Sequence, residues 1–204
     1  MRSAALFLAF CGTLLLTHGA SAQQAKPRVL FQTSMGEITV ELEPERAPLT
    51  VANFLEYVGA GHFDGTIIYR VQPGFVLQAG SYEANGNKRP TRDPIPLEAN
   101  NGLSNARGSI SMARGEEPNT ATAEFFINLA DNPALDRNIF DLENRTGYAV
   151  FGTVVGGMEI VDAIAMVPRG DNGPFPGAAP VTPIVITRAA IIDAAAPSPA
   201  PPAP

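Results

Sequence analysis

Residues 29–32 and 37–42 are short runs joined through Ser34-Met35-Gly36, and the second, EITVEL, places an apolar side chain at every second position. A period of two broken by a glycine-bearing link predicts two strands in a hairpin. The period then changes. In APLTVANFLEYVGAG, which begins at Ala47, Val51, Phe54, Leu55 and Val58 recur at i, i+3, i+4 and i+7, one apolar face of a helix. Pro48 suits the first turn, where a missing N–H costs nothing, and Gly59 and Gly61 provide the stop. From Thr66 the chain turns β-rich and glycine-punctuated, with strands predicted over 67–71, 75–79, 109–113, 125–129 and 149–154. A second helix over 158–166 gathers Ile160, Val161, Ile164 and Ala165 on one side; Pro168 ends it, and a last strand runs over 181–192. Many short strands with two helices predict a mainly β fold: a closed antiparallel sheet with helices over its open ends.

The two ends do not read as folded protein. Residues 1–22 carry Arg2, then an apolar run over 4–16, then Ala20-Ser21-Ala22, the layout of a secretory signal peptide with its cleavage site. The run is shorter than the ~20 residues a spanning helix needs, so removal is expected rather than anchoring. Residues 194–204 are only Ala, Pro and one Ser, with nothing to bury, and predict an extended tail. Residues 23–193 remain as one domain, long enough for a substantial core.

Composition then removes whole classes of chemistry. Cys11 is the only cysteine and leaves with the signal, so a mature chain has neither disulfides nor thiol catalysis. Loss of Arg2 takes the formal net charge from −6 to −7, and no basic stripe is present to meet phosphates, so no nucleic-acid partner is expected. Of the two histidines, His18 and His62, only His62 stays, which is too few for a His-based zinc site. His62 sits in a glycine-rich turn and reads as exposed and without a catalytic role. No metal or cofactor is expected. No later stretch is apolar enough to form a spanning helix, so no membrane association is expected after cleavage. The short signal ending Ala-Ser-Ala-Gln suggests a periplasm, and a monomer is the default.

The segment over 63–80, FDGTIIYRVQPGFVLQAG, closely resembles the signature of the cyclophilins: an aromatic-Asp/Asn-Gly turn, a strand bearing His-Arg-Val, then Pro-Gly-Phe, an apolar residue and Gln. GSISMA (108–113), EFFIN (124–128), GYAVFG (147–152) and Gly156-Gly157-Met158 look like the family's later signatures, in the same order. The resemblance covers about 29–192. It implies an eight-stranded antiparallel closed β-barrel capped by two α-helices, and a peptidyl-prolyl cis-trans isomerase acting on proline-containing polypeptide segments.

That reaction asks little of a protein. Rotating an X-Pro bond crosses a resonance barrier of roughly 18–20 kcal/mol without changing any covalent bond, so a donor for the twisted imide and an apolar slot for the proline ring suffice. A preorganised donor alone is worth about 10²–10³ in rate. By resemblance Arg70 is that donor, and Phe75, Val76, Phe126 and Leu135 form the proline pocket. Gln78 orients Arg70 and bonds the substrate backbone, and Ala113 and Arg114 form the edge along which the peptide docks. Periodicity alone reads Phe75, Phe126 and Leu135 as barrel core and Arg70 as a strand-edge charge; the ordered signatures turn that reading round. Four matched positions depart from the family. Tyr69 and Tyr148 replace His, Glu124 replaces Gln, and Ala134 replaces an aromatic rim residue. Tyr69, Glu124 and Tyr148 are counted with the substrate-contacting set. Glu124 could draw the guanidinium away from substrate or hold it in place. Tyr69 and Glu124 also support an alternative, a proline-peptide-binding chaperone or scaffold module with little turnover.

Overall fold

The computed structural model describes residues 25–138, 140, 146–171 and 175–192; the expected signal segment and the Ala/Pro tail lie outside the described residues. The first hairpin is as expected: β1 (Arg28–Thr33) pairs antiparallel with β2 (Gly36–Leu42) around the Ser34-Met35 turn. Helix α1 (Pro48–Gly59) follows and buries Val51, Phe54, Tyr57 and Val58. Next come β3 (Ile67–Ile68), β4 (Arg70–Gln72), β5 (Val76–Ala79), β6 (Ser109–Met112), β7 (Phe125–Asn128) and β8 (Val150–Gly156). Helix α2 (Met158–Ala165) precedes β9 (Arg169–Gly170), β10 (Ala179–Pro180) and β11 (Ile184–Ile192).

Nine of these strands form one sheet in the order β3-β11-β1-β2-β8-β6-β7-β5-β4. The count differs from the eight expected for a simple reason. β3 and β4 stand at opposite ends of the order yet are separated only by Tyr69. One strand therefore passes from the β11 edge to the β5 edge and closes the barrel, and the sheet has eight staves with one of them broken. Two further departures are local. β11 begins at Ile184 rather than 181, because Pro183 has no N–H to give a ladder. β9 and β10 form a separate two-stranded ribbon too short to leave a period in the sequence.

The barrel interior is aromatic. Phe31 of β1 stacks on Phe125 of β7 at 5.3 Å between centroids, and Phe54 of α1 lies 5.3 Å from Phe63 and 4.9 Å from Phe151. α2 contributes Val161, Ile164 and Ala165. It starts at Gly157, whose φ of +80° and close approach to the Glu37 carbonyl (a Cβ would lie 2.0 Å from it) exclude any side chain. Burial of this kind, at about 25 cal/mol per Å² of apolar surface, holds a fold that has no covalent cross-link.

Candidate active site

β4, β5, β7 and β6 lie side by side, and their registers set four residues in a row: Arg70 faces Gln78, Gln78 faces Phe126, and Phe126 faces Ser111. Side chains alternate between the two faces of a strand, so this row is on the outside of the barrel while Leu77, Phe125 and Ile127 go inside. The packing follows that split. Val76, Ala113 and Phe126 are buried in a small apolar cluster of their own, with Phe75, Leu135 and Tyr148 against it, apart from the main core. β7 is buried on both faces, which is why its sequence carries no alternation.

Over this cluster opens a cleft of about 260 Å³, smaller than the ~300–1,000 Å³ of a site for a drug-sized ligand and suited to a single ring. Its apolar walls are Phe75, Val76, Phe126, Leu135 and Tyr148, and its polar lining is Arg70, Gln78 and Arg114, with Ala113 beside them. Phe126 and Tyr148 meet edge to face at 5.5 Å. Leu135 sits in a single 3₁₀ turn, Pro133–Leu135, and its carbonyl accepts the Tyr148 N–H at 2.9 Å, so two walls of the cleft are tied together. Nine of the eleven residues expected at the site thus line one depression.

Tyr69 and Glu124 are the exceptions. Tyr69 is buried and lines a separate cleft with Ile67, Tyr82 and Pro183 rather than this one. Glu124 lines a neighbouring cleft of about 270 Å³ together with Lys88, Thr120 and Phe175. His62 is corrected: it is half-buried, its Nε2 lies 3.0 Å from the Gly80 carbonyl oxygen, and its ring packs 4.6 Å from Tyr57.

Arg70 is held by four side chains. Its Nη1 donates to Gln78 Oε1 at 3.1 Å and its Nη2 to Gln72 Oε1 at 2.5 Å. Its guanidinium carbon lies 5.8 Å from the Phe75 ring centre and 5.3 Å from that of Phe175. Arg114 differs. Its Nε donates to the Gly147 carbonyl, its Nη1 to the carbonyls of Gly115 and Glu116, and its Nη2 to Thr146 Oγ1, while the cation covers the Tyr148 ring at 4.7 Å. It ties the loop after β6 to the segment before β8 and fixes Tyr148.

Burial pushes the Tyr69 hydroxyl far above its ordinary range, and the neighbouring Glu124 carboxylate adds to the effect. Burial alone would raise the Glu124 carboxyl, but its bonds to the Lys88 ammonium and the Tyr69 hydroxyl outweigh that and leave it below the usual range. Lys88 in turn is held above its ordinary value by the bond to Glu124. No group of three or more His, Cys, Asp or Glu among the described residues is arranged to hold a metal. What the cleft offers is an apolar slot with a fixed cationic donor at its mouth.

Sequence reasoning missed the support beneath the cleft. Asn132 Nδ2 donates to the Phe75 carbonyl at 3.0 Å and to Asn128 Oδ1 at 2.7 Å, while Asn128 Nδ2 reaches Ser109 Oγ at 2.9 Å. Asp136 Oδ1 accepts from the Asn105 backbone at 2.6 Å and its side chain at 2.8 Å. Of these side chains, Asn128, at the end of EFFIN, and Ser109, in GSISMA, belonged to motifs, while Asn105, Asn132 and Asp136 did not. Phe175 was missed as well; it stacks parallel to Tyr69 at 5.7 Å.

A sequence model described as cyclophilin type peptidyl-prolyl cis-trans isomerase/CLD matches residues 28–191. Peptidyl-prolyl cis-trans isomerase A of Dickeya dadantii is 46% identical over 173 residues, 85% of this chain and 88% of that protein. Peptidyl-prolyl cis-trans isomerase B of Escherichia coli is 44% identical over 145 residues, 71% of this chain and 88% of its own length. Among solved structures, a cyclophilin type peptidyl-prolyl cis-trans isomerase of Cryptosporidium parvum superposes with a TM-score of 0.67 at 23% identity, covering 83% of this chain and 99% of that one; this likeness bears on the fold.

Proposed function

The chain belongs to the family of cyclophilin-type peptidyl-prolyl cis-trans isomerases, and on that premise we propose that Arg70 is the catalytic donor and the cleft beside it the proline pocket. The protein is a peptidyl-prolyl cis-trans isomerase whose substrates are proline-containing peptide segments. The observation that carries the residue assignment is that Arg70 lines the same cleft as the separate apolar cluster of Phe75, Val76, Phe126, Leu135 and Tyr148.

The ring enters that cluster and the peptide bond lies over Arg70. As the bond twists, the prolyl nitrogen loses conjugation and its lone pair becomes an acceptor, which the planar amide did not offer. A guanidinium carries five N–H donors, and among the described residues Arg70 commits two, to Gln78 and Gln72. A donor that bonds the twisted state and not the planar one acts on the barrier alone. Held by two amides and two rings, it is preorganised, and the expected gain is about 10²–10³ in rate. Arg70→Ala should therefore lower kcat/KM for an X-Pro peptide by about that factor at unchanged fold. Wild-type turnover in the variant overturns the assignment.

Export is part of the proposal. The Arg2, apolar-run and Ala20-Ser21-Ala22 layout supports removal of residues 1–22, leaving a protein that acts as a monomer on exported chains, in a periplasm. A mass measurement on the protein recovered from its native envelope should place the new N-terminus at Gln23; a retained leader counts against export by this route.

A further inference from the structure

Glu124 does not touch Arg70, yet it is bound to a side chain that does. Its Oε2 accepts the Tyr69 hydroxyl at 2.5 Å and Gln78 Nε2 at 3.3 Å, and its Oε1 takes the Lys88 ammonium at 2.7 Å. The other end of Gln78 meets the guanidinium, Oε1 accepting from Arg70 Nη1 at 3.1 Å. The carboxylate is 19% exposed, and Tyr69 below it is fully buried. Five side chains are therefore joined in one line from the rim to the cleft: Lys88, Glu124 with Tyr69, Gln78, Arg70.

An amide has two unlike ends. A carboxylate can only accept hydrogen bonds and a guanidinium can only donate them. Between Glu124 and Arg70 the Gln78 amide has one orientation that satisfies both neighbours, NH₂ towards Glu124 and C=O towards Arg70. Turned over, it sets two acceptors against each other at one end and two donors at the other. A glutamine at 124 removes that constraint, since its side chain can present either a donor or an acceptor to Gln78. The Lys88 and Tyr69 bonds keep the carboxylate from following Gln78 if it turns, and the raised Tyr69 hydroxyl stays a donor.

We propose that Glu124 is a positioning residue that acts through Gln78, fixing the amide so that its carbonyl oxygen holds the Arg70 guanidinium at the mouth of the cleft. The proposal rests on the reading of Arg70 as catalytic donor and adds a residue that works one bond behind it.

The test is a double-mutant cycle on kcat and KM for an X-Pro peptide, with thermal midpoints alongside. Glu124→Gln should lower kcat by about 2–10-fold, the rate equivalent of one hydrogen bond, with KM and the thermal midpoint nearly unchanged. Gln78→Ala should lower kcat at least as far, and adding Glu124→Gln to it should lower kcat no further. Lys88→Met, at a side chain 52% exposed where folding is not at stake, should give a smaller loss of kcat that also vanishes in the Gln78→Ala background. Wild-type kcat in Glu124→Gln overturns the proposal. So does a loss that multiplies with that of Gln78→Ala, which places the effect outside Gln78, or a loss confined to KM. Arg70→Ala, measured in the same series, separates the two claims. Full activity there overturns the donor reading, whereas a large loss there beside a silent Glu124→Gln overturns positioning alone.

Discussion

Phe125 and Phe126 are neighbours in sequence, equally buried, and on opposite faces of β7, so removing each ring separates the barrel core from the cleft. Phe125 is 2% exposed and contacts three other rings, Phe31 at 5.3 Å, Phe63 at 5.5 Å and Phe54 at 5.7 Å. Phe125→Ala opens a closed void among them. The usual cost is about 3–5 kcal/mol, and because three ring pairs, each worth roughly 0.5–1.5 kcal/mol, are lost within that total, its upper end of about 5 kcal/mol is expected. Phe126 is 4% exposed but walls a cleft of about 260 Å³. Water can fill the space its ring leaves, and the cavity penalty largely drops out, leaving a transfer cost of about 2–3 kcal/mol. Activity should run the other way. A proline ring has three methylenes, each worth about 0.8 kcal/mol when buried. If Phe126 covers half of the ring, its loss removes about 1.2 kcal/mol, close to eightfold in kcat/KM. Urea unfolding gives the stabilities, and NMR exchange on an X-Pro peptide gives kcat/KM per folded molecule. Phe126→Ala should be the more stable and the less active of the pair. Equal destabilisation with wild-type kcat/KM for Phe126→Ala would place its ring in the core and refute the assignment of faces.

Three further outcomes are expected. Lys88→Met should leave stability almost unchanged, because an ion pair with one partner half-exposed contributes about 0–1 kcal/mol; a loss of several times that in urea unfolding would give the pair a structural role instead. Burial holds the His62 imidazole below its ordinary range, with Arg89 and Arg92 adding to the effect and the Gly80 carbonyl opposing it. The unfolded chain therefore takes up that proton first as pH falls, so this contribution is full above about pH 6.5 and declines below it. Thermal midpoints should drop more steeply from pH 7 to 5 in the wild type than in His62→Gln, and parallel curves would remove His62 from the account. Ala134 is exposed in the 3₁₀ turn at the cleft rim, where the family resemblance implies an indole that packs on cyclosporin and donates a hydrogen bond to it. Inhibition by cyclosporin should be weak and should tighten more than tenfold in Ala134→Trp, a gain of at least about 1.4 kcal/mol; tight inhibition of the wild type, or no gain in the variant, would refute this account of the rim.

The sequence by itself determined the elements whose period shows. The EITVEL strand and the Val51-Phe54-Leu55-Val58 helix face are written locally, because a segment with one apolar side repeats at two or at 3.6 residues. The motifs around Arg70, Gln78 and Phe126 were equally legible, being runs of adjacent residues, and the structure sets those three in one row. Tertiary structure decided the rest, and in each case the cause is a partner distant in the chain. FFIN is apolar throughout, so only closure of the sheet reveals that Phe125 and Ile127 face the core while Phe126 faces a cleft. Closure itself depends on β3 pairing with the far end of the chain in β11. The first turn of α1 has no cap of its own; Glu98, 49 and 48 residues on, accepts the N–H groups of Leu49 and Thr50, a bond that no local pattern announces. Tyr69 and Glu124 were recognised as departures from the family, but departures at two separate positions. That they meet at 2.5 Å, leave the proline cleft, and bear on Arg70 through Gln78 follows from the register of β5 against β4 and β7, which is a property of the folded sheet and of no segment alone.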